Sequence, residues 1–462
     1  MNNSKVGLLP LYLQLYDQTS PGLRTRVNEF VEIICGELKK RHVDVVCPGI
    51  CRIKPEFKMA VEHFEQSGVD AIITLHLAYS PSLESYEALI KTDLPLIVLD
   101  TTPTYIFDNN TPVEEIMFNH GIHGVQDLCN LLKRNNKAYH IEAGHWQNSD
   151  VVDRVVSWAR AARMAAKMKT ARVGIMGVPF KGMGDFAIPF DKLKKAIGID
   201  TVEFDFNKSK ELLDTVSQQE IDNEIKADKV QFNAENIHYE THYKSVKAGL
   251  ALRKWIKNER LDAFTVNFLN ITKKSQMGVM PFLEIEKQMA EGIGYAGEGD
   301  VLTAALAGAL ASEYKETSFT EMFCPDWKND TIFLSHMGEM NISLAVNKPE
   351  LVEMDFPYTD AENPAIAYGL YRPGQVALVN LAPVGNDKYT LIIAKGEIIS
   401  VSGEDKLKDS IHAWFKPECN ISEFLARFSM AGGTHHSAMC YTPDIGEIKK
   451  FSQLMGWNTV VI

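Results

Sequence analysis

The sequence is short of the features that define several large protein classes. Its seven cysteines, Cys35, Cys47, Cys51, Cys129, Cys324, Cys419 and Cys440, are odd in number and scattered along 462 residues. That usage predicts reduced thiols in a cytoplasmic protein and excludes a disulfide framework. The one close pair, Cys47-Pro-Gly-Ile-Cys51, has no second Cys/His pair at zinc spacing nearby, which argues against a structural zinc site. No run reaches the ~18 uninterrupted apolar residues of a membrane span. Basic residues are outnumbered, 48 Lys and Arg against 60 Asp and Glu, for a net charge of -12. Such a chain repels phosphate backbones and anionic lipid, so nucleic acid and membrane surfaces are excluded as partners and a small neutral or cationic substrate fits better. There is no GxxxxGK[ST] loop and no GxSxG elbow, which argues against a P-loop nucleotide site and a serine hydrolase. GMGDFA (182–187) begins like a dinucleotide fingerprint but lacks its third glycine. The amino-terminal MNNSKVGLLPLYLQLYDQ has no small-residue cleavage site and is expected to open on a strand rather than to be a signal peptide.

What is present is globular. Apolar residues make up 45% and charged residues 23% of the chain, and at roughly 150 residues per domain the length predicts about three domains. Over 1–168, short apolar runs (VGLLPLY, VDVVCP, VDAIITLHL, LPLIVLD) alternate with amphipathic stretches such as LRTRVNEFVEIICGELKKRH. Continuous apolar strands alternating with helices predict a doubly wound parallel sheet covered on both faces. Over 169–316 the pattern repeats: RVGIMGVPF, TVEFDF and DAFTVNF read as strands, 208–258 as a long polar helical stretch, and AGEGD opens a helix VLTAALAGALASEY. This predicts a second α/β domain. Over 317–462 the strands TIFLSH, AIAYGLY, QVALVNLA and YTLIIAKGEIISV follow closely, with helices ISEFLARFSMA and IGEIKKFSQLMG, which predicts a β-rich, antiparallel, barrel-like third domain.

Four positions stand out chemically. Glu298 lies in GYAGEGD at a helix start, either as part of a helix cap or as a carboxylate kept ionised by backbone amides. Glu321 lies in the apolar, aromatic SFTEMFCPDW, on a surface hinge or buried with a partner. His336 ends the strand TIFLSH as a core histidine or a ligand, and His435-His436 follow two glycines in AGGTHH. HYETH (238–242) spaces His238 and His242 one helical turn apart, but its polar surroundings predict a solvated helix face. Two acids and two imidazoles at strand ends and glycine turns suit a hard or borderline divalent ion such as Mn²⁺, with positions open to substrate oxygens.

Taken together, GYAGEGD followed by TAAL, then SF-x-E, then L-x-H-M-x-E ahead of Lys-Pro, then AGG-x-HH, resemble the metal-binding stretches of the L-arabinose isomerase family, within the arabinose/fucose isomerase superfamily. The similarity is collinear over essentially the whole chain. It implies metal ligands Glu298, Glu321, His336 and His436, with Glu298 and Glu321 as acid and base. It also implies His435 as a contact to a substrate hydroxyl, with Gly432 and Gly433 letting the backbone approach the sugar. Leu15, Tyr16, His120 and His123 fall at pocket positions of the first domain, and Met183 and Phe268 at pocket walls of the second. The implied activity is metal-dependent aldose–ketose isomerisation, L-arabinose to L-ribulose through an enediol. The alternatives are another aldose (L-fucose, D-arabinose or D-galactose) or a non-catalytic sugar-binding paralogue. The implied assembly is a cytoplasmic homohexamer in which a neighbouring subunit completes each site. The chain departs from the family around the substrate: Met322-Phe323 replaces Asp-Tyr, His120 replaces Gln, Val301-Leu302 replaces Trp-Lys, and the chain is expected to lack a further carboxy-terminal helical stretch.

Overall fold

A computed structural model describes residues 3–462; Met1 and Asn2, the start of the expected first strand, lie outside it. The chain divides into two compact units, 1–166 with 446–454, and 167–445 with 455–462.

The first unit is built on five strands, β1 (Ser4–Leu11), β2 (Val43–Val46), β3 (Ala71–His76), β4 (Leu96–Asp100) and β5 (His140–Ala143). All pair in parallel, in the order β2-β1-β3-β4-β5. Every residue of β3 is buried, so its sequence is mainly apolar rather than alternating. The helix Pro21–Lys40 starts on a proline, whose missing N–H costs nothing at that position, and buries Leu23, Val27, Phe30, Ile34 and Leu38 along one face. β5 escapes the sequence pattern because it is short, polar and only half-buried. The chain's last helix returns to this unit, where Arg160 meets Glu447 at 3.1 Å and Leu454 packs on the core.

In the second unit β6 (Arg172–Met176), β7 (Asp200–Glu203), β8 (Ala263–Val266) and β9 (Gly294–Gly297) form a parallel sheet in the order β7-β6-β8-β9. β9 is hidden from sequence by its glycines. The stretch 208–258 is helical, as expected, in three helices, Ser209–Asp214, Gln218–Gln231 and Tyr239–Glu259. A capping box between Ser217 and Glu220 restarts the chain as a new helix. The expectation of a solvated face for HYETH holds for His238, the exposed residue preceding the last of these helices, and fails for His242, which is 2% exposed with its Nε2 2.8 Å from Asp228 Oδ2. A polar stretch here turns a charged face inward, because Asp228 and Lys287 are there to satisfy it.

The remaining strands are β10 (Thr317–Asp326), β11 (Thr331–His336), β12 (Glu350–Glu353), β13 (Ala365–Tyr368), β14 (Gly374–Pro383), β15 (Tyr389–Ile399), β16 (Ile411–Pro417), β17 (His436–Tyr441) and β18 (Asn458–Val461). The ladder β14-β17-β10-β11-β16-β15 is antiparallel and closes on itself through β14–β15, forming a barrel. β18 adds to β15 in parallel, the one departure from an antiparallel sheet, and β12–β13 is a separate ribbon. Leu334, Val376, Leu378, Ile392, Ala413, Phe415 and Met439 belong to the buried core of this region. Closure removes the unpaired edges an open sheet would expose. No helix among the described residues is long and apolar enough to cross a membrane.

Candidate metal centre

The second unit gathers the four positions singled out above. Glu298 immediately follows β9, at the carboxyl edge of the parallel sheet where ligands of α/β folds characteristically bind. Its backbone takes a left-handed φ of 63°, a conformation costing a non-glycine residue of order 1–3 kcal/mol. Two hydrogen bonds hold it there, from its own N–H to Val266 O (3.0 Å) and from Phe180 N–H to its carbonyl (2.9 Å). Glu321, on β10, lies directly across the ladder from His436 on β17. His336 closes β11, and His435 immediately precedes β17.

One ligand atom each from Glu298, Glu321, His435 and His436 lie within 4.8 Å of one another. His436 Nε2 is 2.9 Å from Glu321 Oε1 and 3.5 Å from Glu298 Oε2, and His435 Nε2 is 3.9 Å from Glu298 Oε2. His336 joins through Glu321, its Nε2 3.1 Å from Oε1. That group of four contains His435 where the resemblance implies His336, which joins it through Glu321. Phe319 forms an apolar wall, its ring 4.8 Å from that of His336 and 5.0 Å from that of His436.

Each imidazole is aimed by a carboxylate on its other nitrogen. Asp300 Oδ2 accepts from His436 Nδ1 at 2.9 Å, Asp185 Oδ2 from His435 Nδ1 at 2.6 Å, and Glu339 Oε2 from His336 Nδ1. Glu339 is itself fixed by the hydroxyl of Tyr295 (2.9 Å) and the N–H of Gly338 (2.9 Å). A carboxylate on Nδ1 leaves Nε2 facing the cluster and raises its basicity, the usual outer support of a metal-ligating histidine.

The electrostatics follow from this crowding. Burial opposes the charge of Glu298, but His435 and His436 overcome it and bring its pKa down to about 2. Burial likewise opposes the charge of Glu321, yet His336 and His436 hold it well below the usual carboxylate range. Burial works against the His336 cation, but Glu339 and Glu321 drive its pKa up to about 10. His436 is pushed far up despite its burial by Asp300, Glu298 and Glu321, and His435 is raised chiefly by Glu298.

These residues fit a divalent ion. Five carboxylates (Glu298, Glu321, Asp185, Asp300, Glu339) surround three imidazoles, an excess of negative charge in a largely buried space. Glu298 Oε2 is buried with no hydrogen-bond partner, the nearer imidazole nitrogen, His436 Nε2, standing 3.5 Å away; a buried carboxylate oxygen so placed is costly unless something charged sits beside it. The imidazole protons partly offset the excess; a cation would take their place, releasing them.

Sequence reasoning missed the supporting shell, although its signal was present. Asp300 and Glu339 lie inside the quoted GEGD and HMGE, and Asp185 inside the GMGDFA set aside as a broken fingerprint. Asn380 of β14 carried no signal; its side-chain amide donates to Thr434 O (3.0 Å) and His436 O (2.6 Å), pinning the turn into β17. The glycines of AGGTHH also have a structural job. Gly432, at φ 83°, ends the helix Ile421–Met430, and Gly433 N–H returns to Phe428 O at 3.0 Å. They stop a helix so that the next strand can start at His436.

Met183 and Phe268 lie in the same unit, both against Phe180: Met183 through its N–H to Phe180 O (3.3 Å), Phe268 through ring contact at 5.9 Å. Leu15, Tyr16, His120 and His123 belong to the first unit. There Tyr16 Oη lies 3.3 Å from His120 Nε2, the His120 and His123 rings stack at 5.2 Å, and Leu15 is exposed.

The chain is similar to known proteins over most of its length. A model of the L-arabinose isomerase central domain matches residues 191–313, and one of the L-arabinose isomerase C-terminal domain matches 316–458. Between them they cover more than half of the chain. L-arabinose isomerase 1 of Clostridium acetobutylicum is 26% identical over 413 residues, 85% of this chain and 82% of that protein. The L-arabinose isomerase of Halalkalibacterium halodurans is 26% identical over 437 residues, 87% of this chain and 81% of that protein. Among solved structures, a periplasmic sugar-binding protein from Legionella pneumophila aligns over 68% of this chain and 96% of its own at 10% identity, with a TM-score of 0.15, too low to bear on the fold.

Proposed function

The chain belongs to the L-arabinose isomerase family, and from that premise we propose that it is a divalent-metal-dependent aldose–ketose isomerase converting L-arabinose to L-ribulose. The observation that carries the reading is the convergence of Glu298 and Glu321 with the histidines on one space no wider than an ion and its ligands. A binding protein for sugar has no need of two such carboxylates.

The ion would be held by Glu298, Glu321, His436 and His336, with Mn²⁺ suited to the mixed oxygen and nitrogen donors. When bound, it supplies Lewis-acid polarisation of the substrate oxygens, worth several kcal/mol. The chain's own residues do the proton work. One glutamate removes the proton from the carbon next to the carbonyl and returns it to the neighbouring carbon. The other carries the hydroxyl proton between the two oxygens. Such steps contribute roughly 10²–10⁴-fold each. Phe319 and Phe186, packed against the imidazoles, keep the site apolar between its charges, which strengthens every electrostatic interaction in it. Five carboxylates repel an anionic substrate and leave a neutral sugar as the natural one. A cytoplasmic homohexamer with sites completed by neighbouring subunits accompanies this reading.

A second reading is supported by one observation. Met322-Phe323, His120 and Val301-Leu302 all depart from the family's usual residues around the substrate, which favours a change of sugar rather than of reaction. A panel of L-arabinose, L-fucose, D-arabinose and D-galactose, assayed for ketose after exhaustive chelation and after adding Mn²⁺, tests both. Ketose from L-arabinose only with the ion supports the first reading, and ketose from another aldose the second. Full activity after chelation, or turnover of no aldose, overturns both.

A further inference from the structure

Two adjacent residues of the loop after β6 grip the two adjacent imidazoles. Asp185 Oδ2 accepts from the backbone N–H of His435 at 3.1 Å and from its Nδ1 at 2.6 Å. Phe186 stacks on His436 at 4.8 Å with the rings 13° apart. The three carboxylate–imidazole pairs of the site are not equivalent. In the pairs of His436 with Asp300 and His336 with Glu339, no side chain is more than 6% exposed. In the pair of His435 with Asp185 the side chains are 39% and 36% exposed. The first two pairs are shut off from solvent, as suits an ion; the third is half-exposed, on a side that a solute can reach.

Double acceptance by one carboxylate oxygen fixes His435 more tightly than a ring contact alone would. The proton is committed to Nδ1, the ring cannot flip without breaking the contact, and Nε2 is presented toward Glu298 at 3.9 Å, too far for a hydrogen bond between them. We propose that Asp185 is a positioning residue: by holding the backbone N–H and Nδ1 of His435 it fixes the Nδ1-protonated tautomer and aims Nε2 at the sugar contact that the family resemblance already implies for His435. The inference rests on the isomerase reading for that substrate and that contact, but not for the tautomer.

The test uses the full-length protein with Asp185→Ala, which removes both contacts, and Asp185→Asn, which keeps a neutral acceptor. The ring nitrogens of His435 are observed by ¹⁵N NMR. Mn²⁺ affinity without sugar, and affinity for the pentitol L-arabitol with Mn²⁺ present, are measured by calorimetry. Wild type is expected to show the Nδ1-protonated signature and Asp185→Ala a mixture of tautomers. Arabitol affinity in Asp185→Ala, and 1/KM for the converted aldose, should fall about tenfold with kcat nearly unchanged, since uniform binding is what is lost. Mn²⁺ affinity should stay within about twofold, and Asp185→Asn should recover most of the sugar affinity. An unchanged tautomer, unchanged sugar affinity, or loss of Mn²⁺ affinity on the 10–100-fold scale of a ligand's outer support would overturn the proposal. Should the wild type convert no aldose, the isomerase reading fails alone, and the NMR signature with the two affinities still decides the role of Asp185.

Discussion

At the scale of single residues, Glu298 and Glu321 carry the largest consequence. Each is ionised at neutral pH because the imidazoles around it outweigh the cost of its burial. Glutamine has nearly the same shape but neither the charge nor the basicity. Glu298→Gln and Glu321→Gln are each expected to lower kcat by at least ~10²-fold, the contribution of a positioned acid or base, while thermal melting stays near wild type. Near-normal turnover in either variant refutes the assignment. Asn380 is a different kind of residue. It touches no ligand atom, yet its buried amide satisfies two carbonyls of the turn that delivers His436. Asn380→Ala leaves the carbonyl and the N–H of Thr434 without these partners, at a cost of ~1–3 kcal/mol, read as a lower melting temperature together with weaker Mn²⁺ binding. The acids and histidines were visible in the sequence because their residue types are rare in glycine turns and apolar strands. Asn380 was not, since nothing local distinguishes it from any asparagine on a strand.

At the scale of elements, one aspartate serves a helix and a histidine together. Asp300 Oδ1 accepts from Thr303 N–H at 2.9 Å, capping the helix Val301–Ala311, while Oδ2 holds His436. Asparagine caps a helix about as well as aspartate, but it cannot support the imidazole with charge. Asp300→Asn is therefore expected to keep the melting temperature close to wild type and to weaken Mn²⁺ binding 10–100-fold; equal loss of both would show that the residue acts only through the helix. At the other approach to the site, a Cβ on Gly433 would stand 2.2 Å from the Phe428 ring. Gly433→Ala must shift the turn before His435, at a cost of ~1–3 kcal/mol, measured by denaturant unfolding. Helices and buried strands were legible from periodicity. The division of 208–258 into three helices was not, because its inward face is charged.

At the scale of the whole molecule, the second unit buries a second charged assembly away from the site. Arg253 bridges Glu224 and Glu284, Lys287 contacts Glu224 and Asp228, and Asp228 accepts from His242. These residues tie together the helices Gln218–Gln231, Tyr239–Glu259 and Phe282–Ala290. Burial opposes the charge of Glu224, yet Arg253 and Lys287 bring its pKa from 4.5 down to about 2. A carboxylate with a depressed folded pKa stabilises above its unfolded pKa and loses that contribution as pH falls through the folded value. The melting temperature is thus expected to drop between pH 4.5 and 2, and more shallowly in Glu224→Gln. An identical acid profile in the variant would show that other groups set the transition.

The sequence by itself determined the types of element, the continuous apolar strands of the parallel sheets, the closely spaced barrel strands and the acids and imidazoles available for chemistry. These depend on residues within a turn or two of one another, where periodicity and side-chain type suffice. Tertiary structure alone decided that the barrel closes through β14 and β15, that Glu321 faces His436 across a ladder, and that Asp185 reaches His435 from 250 residues away. No local preference records such pairings: they arise where two distant segments are packed against a common core, and only the packing fixes which polar atoms meet.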